Sequence, residues 1–181
     1  MIRASSTLLL LAALTAPVMA GAPDTPPVLP EFPKSAANLW LNSKPLEARS
    51  LRGQPVLVEF WAFGCSNCLA TQPWMKEIAS RYRPEGLVVI GVHTPEFPRE
   101  AEPLEFRAAV ARLGIAYPVM LDPDYAFWRA ERNSYWPAFY LYGRDGHLIA
   151  MQIGELHLGQ PRSDQFVAAI EASLREPRPG T

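Results

Sequence analysis

The chain is predicted to be an α/β protein with a central mixed β-sheet flanked by helices. Three observations predict it. Short apolar runs of strand length alternate with longer stretches whose apolar residues recur near helical spacing. Asp145-Gly146, between two extended runs, is a hairpin signal. An amphipathic stretch over 162–175 closes the pattern. Strand, helix and strand joined by a right-handed crossover, followed by a hairpin and a helix, make a mixed sheet with helical cover.

The elements follow in order. Residues 55–61 are an apolar run suited to a strand buried on both faces. Residues 66–82 are expected to be a helix, with Leu69, Met75, Ile78, Ala79 and Tyr82 near helical spacing. A turn at 84–86 leads to a second buried strand over 87–92. Residues 103–113 are expected to be a helix with Leu104, Ala108, Ala111 and Leu113 inward. An extended piece at 117–121 and a short helix at 124–131 follow. The hairpin strands are expected at 138–142 and 148–153, around the turn 144–147. The closing helix over 162–175 takes Ser163 as its cap and turns Phe166, Val167, Ile170 and Leu174 to one face.

Composition bounds the function. Hydrophobic residues make up 49% and charged residues 19%, an ordinary globular balance. Residues 37–176 form the expected domain, about 140 residues, enough for a core without disulfide staples. The formal net charge is −1, and Lys and Arg are scattered. That pattern lacks the basic face of a nucleic-acid binder and the polybasic run of a lipid-surface protein. No large apolar excess suggests an obligate dimer, so a monomer is expected.

The two ends carry their own signals. Residues 1–20 read as a secretory signal peptide: Arg3 is the only charge before Asp24, an apolar stretch runs from Leu8 to Leu14, and Val18-Met19-Ala20 fits cleavage after Ala20. As an uncleaved anchor the apolar run is too short and interrupted to span a bilayer comfortably. No Cys at the cut points to a lipid-anchored start. The mature protein is therefore expected to be periplasmic or otherwise exported, with no stable membrane insertion. Residues 21–36 hold five prolines between Pro23 and Pro33 and are expected to be an extended spacer with little to pack. Residues 177–181 form a polar tail.

The chain has two cysteines, Cys65 and Cys68. A structural disulfide stabilises mainly by closing a long loop. This pair closes almost none, so it calls for another explanation. A strand ends at Trp61, the chain turns, and Cys65 falls at the first turn of a helix. Free N–H groups and the helix dipole there favour a thiolate. Cys68 lies on the same helix face one turn deeper. Cys65 can attack a partner's disulfide and Cys68 can resolve the mixed disulfide. The competing reading is half of a zinc site, which needs four ligands. No second pair exists, and His93, His147 and His157 are isolated along the chain.

Phe60-Trp61-Ala62 leading into Cys65-Ser66-Asn67-Cys68, Pro73 eight residues after Cys65, Trp136-Pro137 before a strand, and Glu59 together make residues 38–175 resemble the thioredoxin superfamily. Gly91-Val92-His93-Thr94-Pro95-Glu96-Phe97 and Tyr135-Trp136-Pro137-Ala138 are similar to the exported TlpA/ResA-like branch and to the thioredoxin-like domain of DipZ-type proteins. The resemblance implies a thioredoxin-like fold with an insertion between the C-x-x-C helix and a cis-proline loop, 103–113 being part of that insertion. It implies thiol–disulfide exchange on protein thiols or disulfides without a cofactor. It implies Cys65, Cys68 and Glu59 as catalytic residues, Glu59 acting as proton acceptor for Cys68, and Trp136 and cis Pro137 as substrate-binding residues. Pro73 is the helix-bending proline, an architectural feature.

The chain departs from the superfamily pattern at Gly64, where Trp is usual, at Ser66-Asn67 in place of Gly-Pro, and at Glu59 in place of Asp. The residues between the cysteines help set the potential, so reductant, oxidant and isomerase all stay open. The TlpA/ResA-like likeness favours a reductant recharged by a membrane thiol electron donor. Several residues have a plainer reading: Glu59 as an edge carboxylate facing water, Trp136 as core packing, and His93 as a structural histidine rather than one that tunes the thiolate. Two other functions compete. A thiol peroxidase needs an activating Arg or Thr near Cys65, where the preceding residues are apolar. A Cu(I)-binding chaperone would use Cys65, Cys68 and His93 or His157, since soft thiolates select Cu(I).

Overall fold

A computed structural model describes residues 26–177. In chain order the elements are β1 (Trp40–Leu41), β2 (Val56–Trp61), α1 (Ser66–Tyr82), β3 (Val88–His93), α2 (Pro103–Leu113), β4 (Val119–Leu121), α3 (Ala126–Ala130), β5 (Ala138–Tyr142), β6 (Leu148–Ile153) and α4 (Pro161–Arg175). The six strands form one sheet in the order β1-β4-β3-β2-β5-β6. β2, β3 and β4 run parallel, while β1, β5 and β6 run antiparallel to their neighbours. The sheet is mixed, as the pattern predicts, and the fold is thioredoxin-like. The expected signal peptide and all but Pro177 of the expected tail lie outside the described residues.

β2 sits near the middle of the sheet, and every residue in it is buried. Alternate side chains of a strand face opposite sides. Leu57 and Trp61 join Trp74, Met75 and Ile78 of α1, Phe106 and Val110 of α2, and Phe166 and Ile170 of α4 in one core. Val56, Val58 and Phe60 join Ile90, Val92, Met120 and Phe127 in the core on the other face.

That second face corrects one expectation. The proline-rich stretch read as a spacer packs against the sheet: Leu29, Phe32 and Ala36 are buried in the second core. Phe32 stacks on Phe127 at 4.7 Å and meets Trp40 edge-on at 5.1 Å. The Leu29 N–H donates to the Gly146 carbonyl at 2.9 Å, and the Leu148 N–H donates to the Pro27 carbonyl at 2.7 Å. Prolines stiffen the segment, yet its apolar side chains cover this face together with the short α3 and the 3-10 turn Ala48–Leu51. Burying Leu29 or Phe32 stabilises by about 1.5–3 kcal/mol each.

Three details of helix orientation also differ. In α2 the inward residues are Phe106, Ala109 and Val110. Leu104 is 80% exposed, Ala108 and Ala111 face outward, and Leu113 is only half-buried. Both sets satisfy helical spacing, and the face that turns inward is the one that sets Phe106 against Trp61 and His93. In α1, Leu69 is exposed, while Cys68 and Trp74 are buried. Ser163 is not the cap of α4: Gln160 is, with Pro161 at the first position. Ser163 is buried instead, and its Oγ accepts the His157 N–H at 2.9 Å.

Candidate active site

β2 hands the chain to α1 through Ala62, Phe63 and Gly64. Cys65 is the N-cap of α1, in extended conformation, and its Sγ accepts the Cys68 N–H at 3.2 Å. Cys65 and Cys68 are joined as a disulfide. Cys65 is 8% exposed and Cys68 0%. Of the two sulfurs, Cys65 is therefore the one a partner can reach. The free N–H groups and positive dipole end of α1 stabilise a thiolate there once the bond opens.

Glu59 lies in the middle of β2, opposite Gly91 of β3 and Phe139 of β5, and is fully buried. The edge-carboxylate alternative is therefore corrected: Glu59 does not face water. Its Oε1 accepts from Gln72 Nε2 at 3.1 Å, and the Tyr117 hydroxyl lies 3.0 Å from its Oε2. The same hydroxyl lies 3.1 Å from Gln72 Oε1. The three side chains close a ring. With Glu59 protonated, its O–H donates to Tyr117, Tyr117 donates to Gln72, and the Gln72 amide donates back to Glu59. With Glu59 ionised, the Tyr117 hydrogen turns to the carboxylate. Burial pushes the Glu59 carboxyl up to about 8, against the opposing hydrogen bonds from Tyr117 and Gln72. Burial and the adjoining Glu59 push Tyr117 up as well.

Neither Gln72 nor Tyr117 stands out in the sequence. Gln72 lies four residues after Cys68, on the same face of α1, and that spacing was the available signal. Tyr117 comes from the start of the strand region beyond α2, and no local pattern marks it. Gly91 makes room for it: a Cβ there would approach Val119 Cγ1 to 2.9 Å, Trp61 Nε1 to 3.0 Å and Tyr117 Cε2 to 3.2 Å.

His93 pairs with Trp61 at the end of β3, beside the active loop. It is fully buried, and its Nε2 accepts the Phe63 N–H at 3.1 Å. Its ring stacks on Phe63 at 5.1 Å and meets Trp61 edge-on at 4.8 Å. Burial pushes its pKa down to about 3, so the ring is neutral. His93 thus supports the loop backbone. His157 hydrogen-bonds Glu155 at 2.6 Å, and His147 lies 3.1 Å from Asp145. Among the described residues no three His, Cys, Asp or Glu side chains are grouped to hold a metal ion.

Ala138 pairs with Phe60, so the start of β5 lies at the sheet edge where β2 runs into the cysteine loop. The Trp136–Pro137 peptide just before it is cis, as the resemblance implies. Pro137 is buried and Trp136 half-buried. The Trp136 indole donates to the Thr94 carbonyl at 3.0 Å, and its ring lies 4.1 Å from that of Trp128.

A second buried acid adjoins the site, and it carries no signal in the sequence. Glu100 belongs to a 3-10 turn, Pro98–Ala101, between β3 and α2, and is fully buried. Its carboxylate accepts the N–H groups of Glu96 at 2.6 Å, of Phe97 at 3.0 Å, and of Gly64.

Residues 24–164 match the Redoxin family. The chain is 44% identical over 119 residues to Protein DipZ of Mycobacterium tuberculosis (strain CDC 1551 / Oshkosh), covering 64% of this chain and 17% of that protein. The chain thus spans less than a fifth of that relative's length. It is 30% identical over 115 residues to Thiol-disulfide oxidoreductase YkuV of Bacillus subtilis (strain 168), covering 64% of this chain and 77% of YkuV. In fold it is similar to a Thiol-disulfide Isomerase from Corynebacterium glutamicum, with a TM-score of 0.68 at 22% identity over 82% of this chain and 98% of that one.

Proposed function

The chain belongs to the Redoxin family, with the fold and the C-x-x-C pair of a thioredoxin-like thiol–disulfide oxidoreductase, and we propose that it works outside the cytoplasm as a reductant of protein disulfides. One observation carries this reading: a disulfide at the start of α1 whose outer sulfur is reachable and whose inner sulfur lies on the helix face that also holds the buried Glu59 ring.

In the proposed cycle the reduced Cys65 thiolate attacks one sulfur of a partner's disulfide. A Cys65–partner disulfide forms, and the partner's other sulfur leaves as a thiolate that takes up a proton. Glu59 then accepts the Cys68 proton, and Cys68 attacks Cys65 Sγ. The internal disulfide re-forms, the partner's second thiolate departs, and two electrons have passed to the partner. A carboxyl held near 8 suits this work, because it can both take and return a proton close to neutral pH. Trp136 and Pro137 line the edge where a partner segment would lie. A membrane thiol donor would return the protein to its dithiol form. The resemblance of residues 91–97 and 135–138 to the exported TlpA/ResA-like branch supports export and the reducing direction.

The reduction potential of the Cys65–Cys68 pair tests the direction. The full chain is equilibrated in glutathione or dithiothreitol buffers, with Cys65→Ser and Cys68→Ser as controls. A value near or below about −250 mV is expected for a reductant. A value near about −120 mV would mark an oxidant and overturn the proposed direction.

A further inference from the structure

We propose that Glu100 is a positioning residue for Cys65: its buried carboxylate ties down the loop through the Gly64 N–H and places a negative charge behind the nucleophile. The proposal rests on the reading that Cys65 and Cys68 are the redox pair.

The geometry comes from both sides of the loop. An ionised carboxylate only accepts hydrogen bonds, and three N–H donors converge on this one. Two of them, from Glu96 and Phe97, belong to its own turn. The third, from Gly64, is 36 residues away in sequence and immediately precedes Cys65. Glu100 therefore joins the β3–α2 connection to the cysteine loop. This contact also accounts for the departure at Gly64. A Cβ at Gly64 would overlap Glu100 Oε1 and lie 3.1 Å from Phe97 Cδ2, so no side chain fits there without moving the loop or the turn.

The surroundings leave the charge uncompensated by any side chain. Among the described residues no Lys, Arg or His forms an ion pair with Glu100. Around the loop, His93 is neutral and the Glu59, Gln72 and Tyr117 ring is held by its own hydrogen bonds. The Arg99 guanidinium lies over the Phe63 ring at 5.6 Å. The Tyr125 hydroxyl donates to the Pro95 carbonyl, and Asp122 accepts from Thr94 and from the first turn of α3. Glu96 is exposed. Reduction adds two electrons and leaves a Cys65 thiolate and a Cys68 thiol, with one proton taken up. The end of α1 favours that thiolate, and the Glu100 charge opposes it. The disulfide form gains, and the dithiol becomes a stronger electron donor.

Glu100→Gln removes the charge while keeping the side chain's size. The same buffer equilibration is expected to shift the dithiol–disulfide equilibrium about tenfold toward the dithiol, which is about 30 mV more oxidising. Alkylation of the reduced protein against pH should show the Cys65 thiol titrating lower than in the wild type. A folded Glu100→Gln protein with unchanged potential and unchanged thiol titration overturns the proposal, because a merely structural glutamate would alter only the melting temperature. Glu100→Asp keeps the charge but falls one methylene short of Gly64. It is expected to hold the wild-type potential while reducing a disulfide substrate about tenfold more slowly. An unchanged rate removes the positioning role. Should Glu100→Gln not fold, Gly64→Ala keeps the Glu100 charge but forces the loop and the carboxylate apart, and is expected to slow the same reaction about tenfold. A wild-type rate in that variant also overturns the proposal. A wild-type protein that cannot be cycled between dithiol and disulfide sinks the redox reading itself, whereas a cycling wild type with unmoved variants sinks only the role of Glu100.

Discussion

Two buried carboxylates flank the active loop, and they are held in opposite ways. Glu59 lies in the central strand among neutral side chains, in a ring with Gln72 and Tyr117 that accommodates it with or without its proton. Glu100 lies in a turn and accepts three backbone N–H groups, which have no proton to give up and no other acceptor to turn to. The difference teaches that burial alone does not define what an acid does. A partner whose hydrogen can rotate leaves a carboxyl free to exchange protons. Fixed donors use it as an anchor. The first arrangement suits a proton carrier behind Cys68, and the second suits a clamp behind Cys65.

The largest expected effect tests the Glu59 half. Its carboxyl ordinarily titrates near 4.5 and is pushed up to about 8 in the folded protein. Between those values the folded state keeps a proton that the unfolded chain has lost. This group's stabilising contribution is therefore full below 4.5 and is lost as pH rises through about 8. The shift corresponds to a change on the order of 5 kcal/mol across the window. Glu59→Gln should flatten that part of the stability curve, as measured by urea unfolding of the disulfide-intact protein at several pH values. Parallel curves for wild type and variant would mean that Glu59 is ionised when folded.

A smaller effect tests the Glu100 half. Glu100→Ala leaves the N–H groups of Gly64, Glu96 and Phe97 without their acceptor, with an expected loss of about 3 kcal/mol in the same unfolding assay. A loss within experimental error would show that water or a rearranged turn replaces the carboxylate, and the clamp description would fail.

The smallest effect sharpens the contrast. Tyr117→Phe removes the hydroxyl that bonds both Glu59 and Gln72, with an expected loss of about 2 kcal/mol. The bond to Glu59 holds its pKa down, so the carboxyl should titrate still higher in the variant. The protonated-carboxyl stretching band, followed by infrared titration, reads this directly. A band that titrates as in the wild type would separate Tyr117 from Glu59.

The sequence carried the strands and helices well where apolar patterning was strong. β2 and β3 were legible as buried runs, and the Asp145-Gly146 turn marked the hairpin of β5 and β6. Patterning was weaker where two answers satisfied the same spacing. In α2, alanines on several faces left the inward side open, and Phe106 settled it only by packing against Trp61 and His93. The stretch before β1 showed its prolines clearly but not its destination, because Leu29 and Phe32 find their partners in Phe127 and other distant residues. β1 itself spans only Trp40–Leu41 and exists through its pairing with β4.

By itself the sequence determined the fold class, the cysteine pair at the start of a helix, the proline before β5, and the acid in the middle of β2. Each is a local matter, set by spacing along a few residues and by what those residues can do chemically. Only the tertiary structure decided what surrounds them. The Tyr117 hydroxyl reaches Glu59 across 58 residues, and Glu100 reaches Gly64 across 36. Such contacts depend on sheet order, on the room left by Gly91 and Gly64, and on exclusion of water, which no run of neighbouring residues encodes. A carboxyl can be read from the chain, but whether it holds a proton or a backbone depends on the donors that folding brings to it.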